Sequence, residues 1–129
     1  MTPQIRFLTA DEVVELHEDQ TRRYGGASGL RDISLLESAV AQSAATFEGR
    51  DLHPDLIDKA AAYALHLCCD HPFVDCIKRV ALASALVFLD LNGVEVTDRR
   101  GALYRLMVEV ASGRAGKPEI VEVFRRLRT

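Results

Sequence analysis

Four side chains with complementary chemistry stand close together at the front of a long apolar run. They are His71, Asp75, Lys78 and Arg79, in the stretch "HPFVDCIKRVALASALVFLDLNG" that ends at Gly93. A histidine has an ordinary pKa of about 6.5, which suits proton transfer, and a carboxylate is a typical protein ligand of Mg²⁺. With two cations beside them, these residues form a set that can bind and transfer a phosphate group.

The apolar run predicts a helix from about Ile77 to Asn92. The first N–H groups of a helix have no partners inside the helix and carry the positive end of its dipole, so they attract anions. Lys78 and Arg79 gain nothing from that dipole, and a bound phosphate would offset the cost of placing them there. A structural interpretation stays open, with Asp75 as a helix cap and the two cations as a solvated turn. The convergence of four such groups favours a phosphate site.

Cysteines and histidines in the same region form a second set of potential ligands. Zinc usually takes two closely spaced pairs from separate elements, whereas these residues fall in one segment, so their spacing disfavours a zinc site. Small buried thiols are the favoured interpretation, because free cysteine packs like a compact apolar residue. The residues considered are His66, Cys68, Cys69, His71 and Cys76.

The composition is that of a single soluble domain spanning residues 1–129. Hydrophobic residues make up 48% and charged residues 27%, with a net charge of −3, which argues against direct binding of nucleic acid. Three clustered cysteines are a poor disulfide framework and fit a reducing compartment. The opening "MTPQIRFLT" does not read as a signal peptide, and no apolar stretch is long enough to cross a bilayer. We therefore expect a cytoplasmic protein without a membrane span.

Caps and periodicity predict an all-α protein, a compact bundle of about six helices around a central buried helix. A capping box begins the first helix at Thr9, Gly25 ends it, and Asp32 caps the second. Pro54 lies near the first turn of a third helix that runs toward Cys69. The fourth is the central apolar helix, and the last two lie in "TDRRGALYRLMVEVASG" and "KPEIVEVFRRL". The residues "VEV" leave room for a minor short strand.

The motif at the front of the central helix resembles the signature of the Fic/Doc superfamily, and in particular of its death-on-curing (Doc) branch. That signature runs H-x-F-x-D-(G/A)-N-K-R. Earlier segments are similar to the family in the usual order, so the resemblance covers nearly the whole chain. These segments are "FLTADEVVELH", "GGASGLRDISLLESAVA" and "DLIDKAAAYALHL".

The resemblance implies a Fic/Doc fold and a toxin of a bacterial toxin–antitoxin pair. The Doc branch transfers a phosphoryl group from ATP to a threonine of elongation factor Tu and thereby arrests translation, with Mg²⁺ and ATP as cofactors. By position, His71 is the catalytic histidine and Asp75 the carboxylate that holds Mg²⁺ or orients the substrate. Arg79 belongs to the catalytic set, and it binds phosphate together with Lys78 and the backbone of Cys76 and Ile77.

The partner implied by the resemblance is an antitoxin whose disordered segment folds into a groove on the toxin. We expect that groove to be apolar and to be formed partly by the first two helices. The residues expected to line it are Val13, Leu16, Leu35 and Leu36.

Two residues depart from the family motif, which has a small residue and then asparagine where this chain has Cys76 and Ile77. Ile77 cannot supply the amide of that asparagine. Loss of a hydrogen bond to a charged group costs about 1.5–3 kcal/mol, so we expect weakened activity. Two alternatives stay open: an AMP transferase of the Fic type, and a catalytically impaired member that mainly binds its antitoxin.

Overall fold

Six helices make up most of the part of the chain that the structure describes. The computed structural model describes residues 4–26, 29–70, 72, 77–98 and 100–129, and of Phe47 the backbone alone. The helices are α1 (Ala10–Tyr24), α2 (Ile33–Ala41), α3 (Leu56–Cys69), α4 (Ile77–Leu91), α5 (Ala102–Ala111) and α6 (Lys117–Leu127), and a short 3-10 turn (Gln42–Ala44) extends α2. The predicted all-α bundle is confirmed.

Local capping sets where the first three helices begin. The Thr9 side chain accepts from the N–H of Glu12, whose carboxylate accepts from the N–H of Thr9. The Asp32 side chain caps α2 by accepting from two N–H groups of its first turn, at 2.9 and 3.1 Å. At α3 the cap is Asp55, so Pro54 directly precedes the cap and lies near the first turn, as predicted.

The centre of the bundle is shared by α3 and α4, and α3 is the more deeply buried. Nine of its 14 residues are buried, and it packs against α2, α4, α5 and α6. Its many alanines allow these neighbours to approach closely. In contrast, α4 buries one face, and Leu91 near its end is exposed. An apolar composition alone therefore does not distinguish a helix buried all round from one buried on one side.

Aromatic contacts fasten the segment before α1 to this core. The rings of Tyr63 and Phe88 lie 5.2 Å apart between centroids, and Phe7 stacks on Phe88 at 5.9 Å. The Tyr63 oxygen accepts from the N–H of Leu8 at 2.9 Å. Burial raises the pKa of Tyr63 to about 12, so this hydroxyl remains neutral at physiological pH.

Extended structure is confined, within the described residues, to small pieces. A hairpin pairs β1 (Thr46–Phe47) with β2 (Arg50–Asp51). The predicted strand at "VEV" is reduced to one antiparallel bridge between Val96 and Arg128, which joins the end of α6 to the segment after α4. None of the described helices has both the length and the apolar composition needed to cross a membrane.

A buried lysine fastens the hairpin to α3. Lys59 is 1% exposed, and its ammonium donates to Asp51 Oδ2 at 3.1 Å and to the carbonyl of His53. It also lies 6.0 Å from the centroid of the Phe7 ring. Because it is almost fully buried, this cation depends on these partners in place of water.

Replacing Lys59 with methionine should lower the free energy of unfolding by about 1–3 kcal/mol, because the carbonyl of His53 loses its donor inside the protein. Urea unfolding would measure the change. Asp51→Asn is the matched control. Its side chain is about half exposed and can be rehydrated, so we expect a loss below about 1 kcal/mol. A Lys59→Met protein as stable as the parent would show that the buried charge contributes nothing to the fold.

A buried histidine lies just before α3. His53 is 9% exposed, and its Nδ1 has no hydrogen-bond partner among the described residues. Burial is the main cause that lowers the pKa of His53, and the positive charge of Lys117 lowers it further. Burial also lowers the pKa of His66. Asp58, 3.8 Å from the Lys117 ammonium, opposes the shift at His53.

Stability should fall as the pH drops below about 6.5. Because the pKa of His53 is lowered in the folded state, the unfolded chain binds a proton more readily than the folded protein. The neutral imidazole therefore contributes fully to the free energy of unfolding above the ordinary pKa, and this contribution is lost as the pH falls below it. Urea unfolding at pH 7.5 and at pH 5.5 measures the difference in the free energy of unfolding between the two pH values. It should shrink in His53→Gln, and an unchanged pH dependence in that variant would rule out His53 as its source.

Candidate phosphate-transfer site

The predicted site residues fall partly on α4 and partly outside the described residues. Ile77, Lys78 and Arg79 form the first turn of α4, at the end where its N–H groups lack partners inside the helix. His71, Asp75 and Cys76 lie outside the described residues, so the roles assigned to them remain predictions. The start of α4 and its two cations are adjacent, and their role in binding phosphate remains a prediction as well.

Arg79 is held against the C-terminal end of α1. Its Nη2 donates to the carbonyl of Gly25 at 3.1 Å, and its guanidinium lies 5.5 Å from the centroid of the Tyr24 ring. The end of a helix carries partial negative charge, which favours a cation there. Arg79 thus has protein partners, and its place at the start of α4 does not by itself require a bound anion.

The other two residues of this turn differ in exposure. Lys78 is exposed, so its ammonium group is accessible to a ligand from solvent. Ile77 is half-buried and packs against the core. It is part of an α-helix, whose right-handed backbone is open to a β-branched residue. What Ile77 lacks relative to the family motif is a hydrogen-bonding side chain.

A second contact holds the approach to α4. Pro72 is buried, and its carbonyl accepts from the N–H groups of Arg31 at 2.8 Å and Asp32 at 3.1 Å. The Arg31 guanidinium also donates to the carbonyl of Asp70 at 3.4 Å. Residues on both sides of His71 are therefore tied to the start of α2.

Sequence reasoning did not connect the segment between α1 and α2 with the site. "YGG" indicated the end of a helix, and Asp32 indicated the start of the next. Both interpretations are correct, yet these same residues contact Arg79 and Pro72. No local signal reveals those contacts, because the partners lie about 40 to 55 residues away along the chain.

The two cysteines at the end of α3 differ from each other. Cys68 is buried, and burial raises the pKa of its thiol to about 11, so it is neutral and unreactive near pH 7. Cys69 is exposed, which corrects the expectation that both thiols are buried. No group of three or more histidine, cysteine or acidic side chains suited to a metal ion occurs within the described ranges.

The predicted antitoxin groove needs a correction. Val13 and Leu36 are fully buried in the core, so they cannot line an open groove. Leu16 and Leu35 are half-buried. The exposed apolar side chains near the second helix are instead Leu30 and Ile33, at 39% and 49% exposure.

Two cavities formed by described residues lie away from the first turn of α4. One of about 440 Å³ lies between the start of α3 and the end of α6, where it is lined by Asp55, Val94 and Arg128 among others. The other, of about 340 Å³, lies between α5 and α6. Neither includes Ile77, Lys78 or Arg79 in its lining.

Comparison with known proteins identifies the family. The model of the Fic/DOC family matches residues 7–89, which include α1, α2, α3, most of α4 and the motif from His71 to Arg79. The chain belongs to the Fic/DOC family. The resemblance noted in the motif is therefore confirmed.

Two Fic/DOC relatives carry names from the Doc branch. The chain is 33% identical over 123 residues to "Protein kinase doc" of Escherichia phage P1, covering 95% of this chain and 96% of that protein. It is 47% identical over 73 residues to "Toxin Doc" of Mycolicibacterium smegmatis, covering 57% of this chain and 56% of that protein. The phage relative extends the likeness beyond the family match into α5 and α6.

Proposed function

We propose that this protein is a Doc-type toxin that transfers a phosphoryl group from ATP to a hydroxyl group of a protein. The observation that carries the proposal is the first turn of α4, where the positive end of the helix dipole, Lys78 and Arg79 stand together. Lys78 and Arg79 are the last two residues of the family motif. The chain is similar over 95% of its length to a protein named as a kinase. A phosphoryl group needs such a concentration of N–H donors and positive charge.

Each residue of the motif has a role in this proposal. His71 accepts the proton of the attacking hydroxyl, and Arg79 and Lys78 bind phosphate oxygens. The N–H groups of Cys76 and Ile77 donate to the same oxygens at the start of α4. Mg²⁺ held by Asp75 would neutralise charge on the nucleotide phosphates.

The substrate and the partner follow from the same family. We infer that the target is a threonine of elongation factor Tu, so that modification arrests translation in the cytoplasm. We also infer that an antitoxin neutralises the protein by folding a disordered segment onto its surface. The family membership and the name "Toxin Doc" support this inference.

Labelled ATP tests the proposal against transfer of AMP. The protein is incubated with elongation factor Tu and Mg²⁺, together with ATP labelled at either the γ- or the α-phosphate. We expect the γ label on the factor. Transfer of the α label instead would assign the protein to the Fic type of reaction, and transfer of neither label would contradict the proposed kinase activity on this factor.

A second candidate function is that of an impaired member that mainly binds its antitoxin. The observation that favours it is Ile77, whose half-buried apolar side chain stands where the motif has asparagine. Calorimetry with the antitoxin encoded by a neighbouring gene separates the two functions when it is run beside the labelling assay. Tight association without label transfer would support the binding function. No association at micromolar concentration would exclude it.

A further inference from the structure

The end of α1 and the first turn of α4 are joined through the side chain of Arg79. Arg79 Nη2 donates to the Gly25 carbonyl at 3.1 Å, and the guanidinium lies over the Tyr24 ring at 5.5 Å. A guanidinium above an aromatic face is attracted by the ring quadrupole. One cation of the proposed phosphate site is thus held by two consecutive residues of another helix.

The shape of the α1 end makes this contact possible. Gly25 is the C-cap of α1, with φ of 80° and ψ of 178°, a conformation that side-chain-bearing residues rarely adopt. Its N–H donates to Thr21 at 2.8 Å and closes the helix, while its carbonyl accepts from Arg79. A glycine here therefore lets the chain turn and still present a carbonyl to the arginine.

Tyr24 is too exposed to be a core residue. Its relative exposure is 65%, in contrast to the fully buried Tyr63 of α3. An exposed ring contributes little to the fold by burial, so its contact with Arg79 needs another explanation. A flexible arginine loses rotamer freedom when it binds a ligand, and one that is already held loses less.

We propose that Tyr24 is a positioning residue of the phosphate site, which together with the Gly25 carbonyl fixes the Arg79 guanidinium before the nucleotide binds. This inference rests on the proposed function and adds a residue to it. The ring acts through Arg79 and does not touch the phosphate. Its effect is therefore on affinity for the nucleotide, and it requires an aromatic side chain, not the tyrosine hydroxyl.

Three variants separate this role from a general effect on folding. Tyr24→Leu keeps an apolar side chain without an aromatic ring, and Tyr24→Phe keeps the ring. Tyr104→Leu is the matched control, because Tyr104 on α5 is 68% exposed. Calorimetry measures the dissociation constant for Mg-ATP. Nuclear magnetic resonance of the Arg79 side-chain N–H group measures whether a ring lies over the guanidinium.

We expect Tyr24→Leu to weaken Mg-ATP binding by about two- to fivefold and to move the Arg79 signal toward the position of a free arginine. Tyr24→Phe should keep both properties, and Tyr104→Leu should change neither. An Arg79 signal that is the same in Tyr24→Leu and the parent would overturn the inference. Unchanged affinity in Tyr24→Leu despite a moved signal would overturn it as well.

Failure of the proposed function and failure of the role of Tyr24 give different results in these measurements. If the parent protein binds no Mg-ATP, the nucleotide-dependent function fails and the positioning of Arg79 for a nucleotide fails with it. The Arg79 signal then reports whether the Tyr24 contact exists as a structural feature. If the parent binds Mg-ATP and the variants behave alike, the function stands and the role of Tyr24 is rejected.

Discussion

Replacing His71 with alanine should slow label transfer by about two to four powers of ten, which is the usual contribution of a general base. In the proposed reaction His71 takes the proton of the attacking hydroxyl, and histidine is the residue of the motif whose ordinary pKa lies nearest to neutral pH. Affinity for Mg-ATP should change by less than about threefold, because the phosphate contacts come from α4. Initial rates at saturating ATP, with calorimetry in parallel, measure both.

His53→Gln is a matched control for His71→Ala. His53 precedes α3 and His71 follows it, and the 14 residues of this helix span about 21 Å. Loss of His53 should therefore leave the rate at pH 7.5 unchanged. A rate that survives without His71 would mean that another group or water accepts the proton, and the catalytic role would have to be reassigned.

Restoring asparagine at position 77 is expected to raise activity. Ile77→Asn, combined with Cys76→Gly, should strengthen Mg-ATP binding and increase transfer by about one to two powers of ten, because an amide becomes available to a charged phosphate. Position 77 is already helical, so asparagine fits the backbone without rearrangement. In cells the double variant should arrest growth, and co-expressed antitoxin should reverse the arrest.

Both single variants are needed, because effects of neighbouring substitutions do not always add. Ile77→Val is a further control, since it removes part of the apolar contact and supplies no amide. Ile77→Asn also loses a contact with the core, so its stability has to be measured beside its activity. Equal growth arrest before and after the double change would show that the backbone N–H groups, Lys78 and Arg79 suffice to bind the phosphate.

Features that depend on neighbouring residues could be predicted from the sequence. The caps at Thr9 and Asp32 and the stop at Gly25 lie where expected, because capping is made by side chains and turns within a few residues. The family motif is likewise formed by residues that are close together along the chain. Its residues at the start of α4 are adjacent along the chain, so their order alone places the helix end and two of its cations together.

Features that depend on distant residues were decided by the tertiary structure. The α3 helix is more deeply buried than the more obviously apolar α4, because burial depends on which helices surround it. The exposed Cys69 and the fully buried Val13 were placed wrongly for the same reason. The contact of Arg79 with Gly25 joins residues 54 positions apart, and no periodicity or cap encodes such a pair. The sequence by itself thus determined the helices, the family and the residues of the candidate motif. The packing of the end of α1 and the start of α2 around this motif determined which residues contact it.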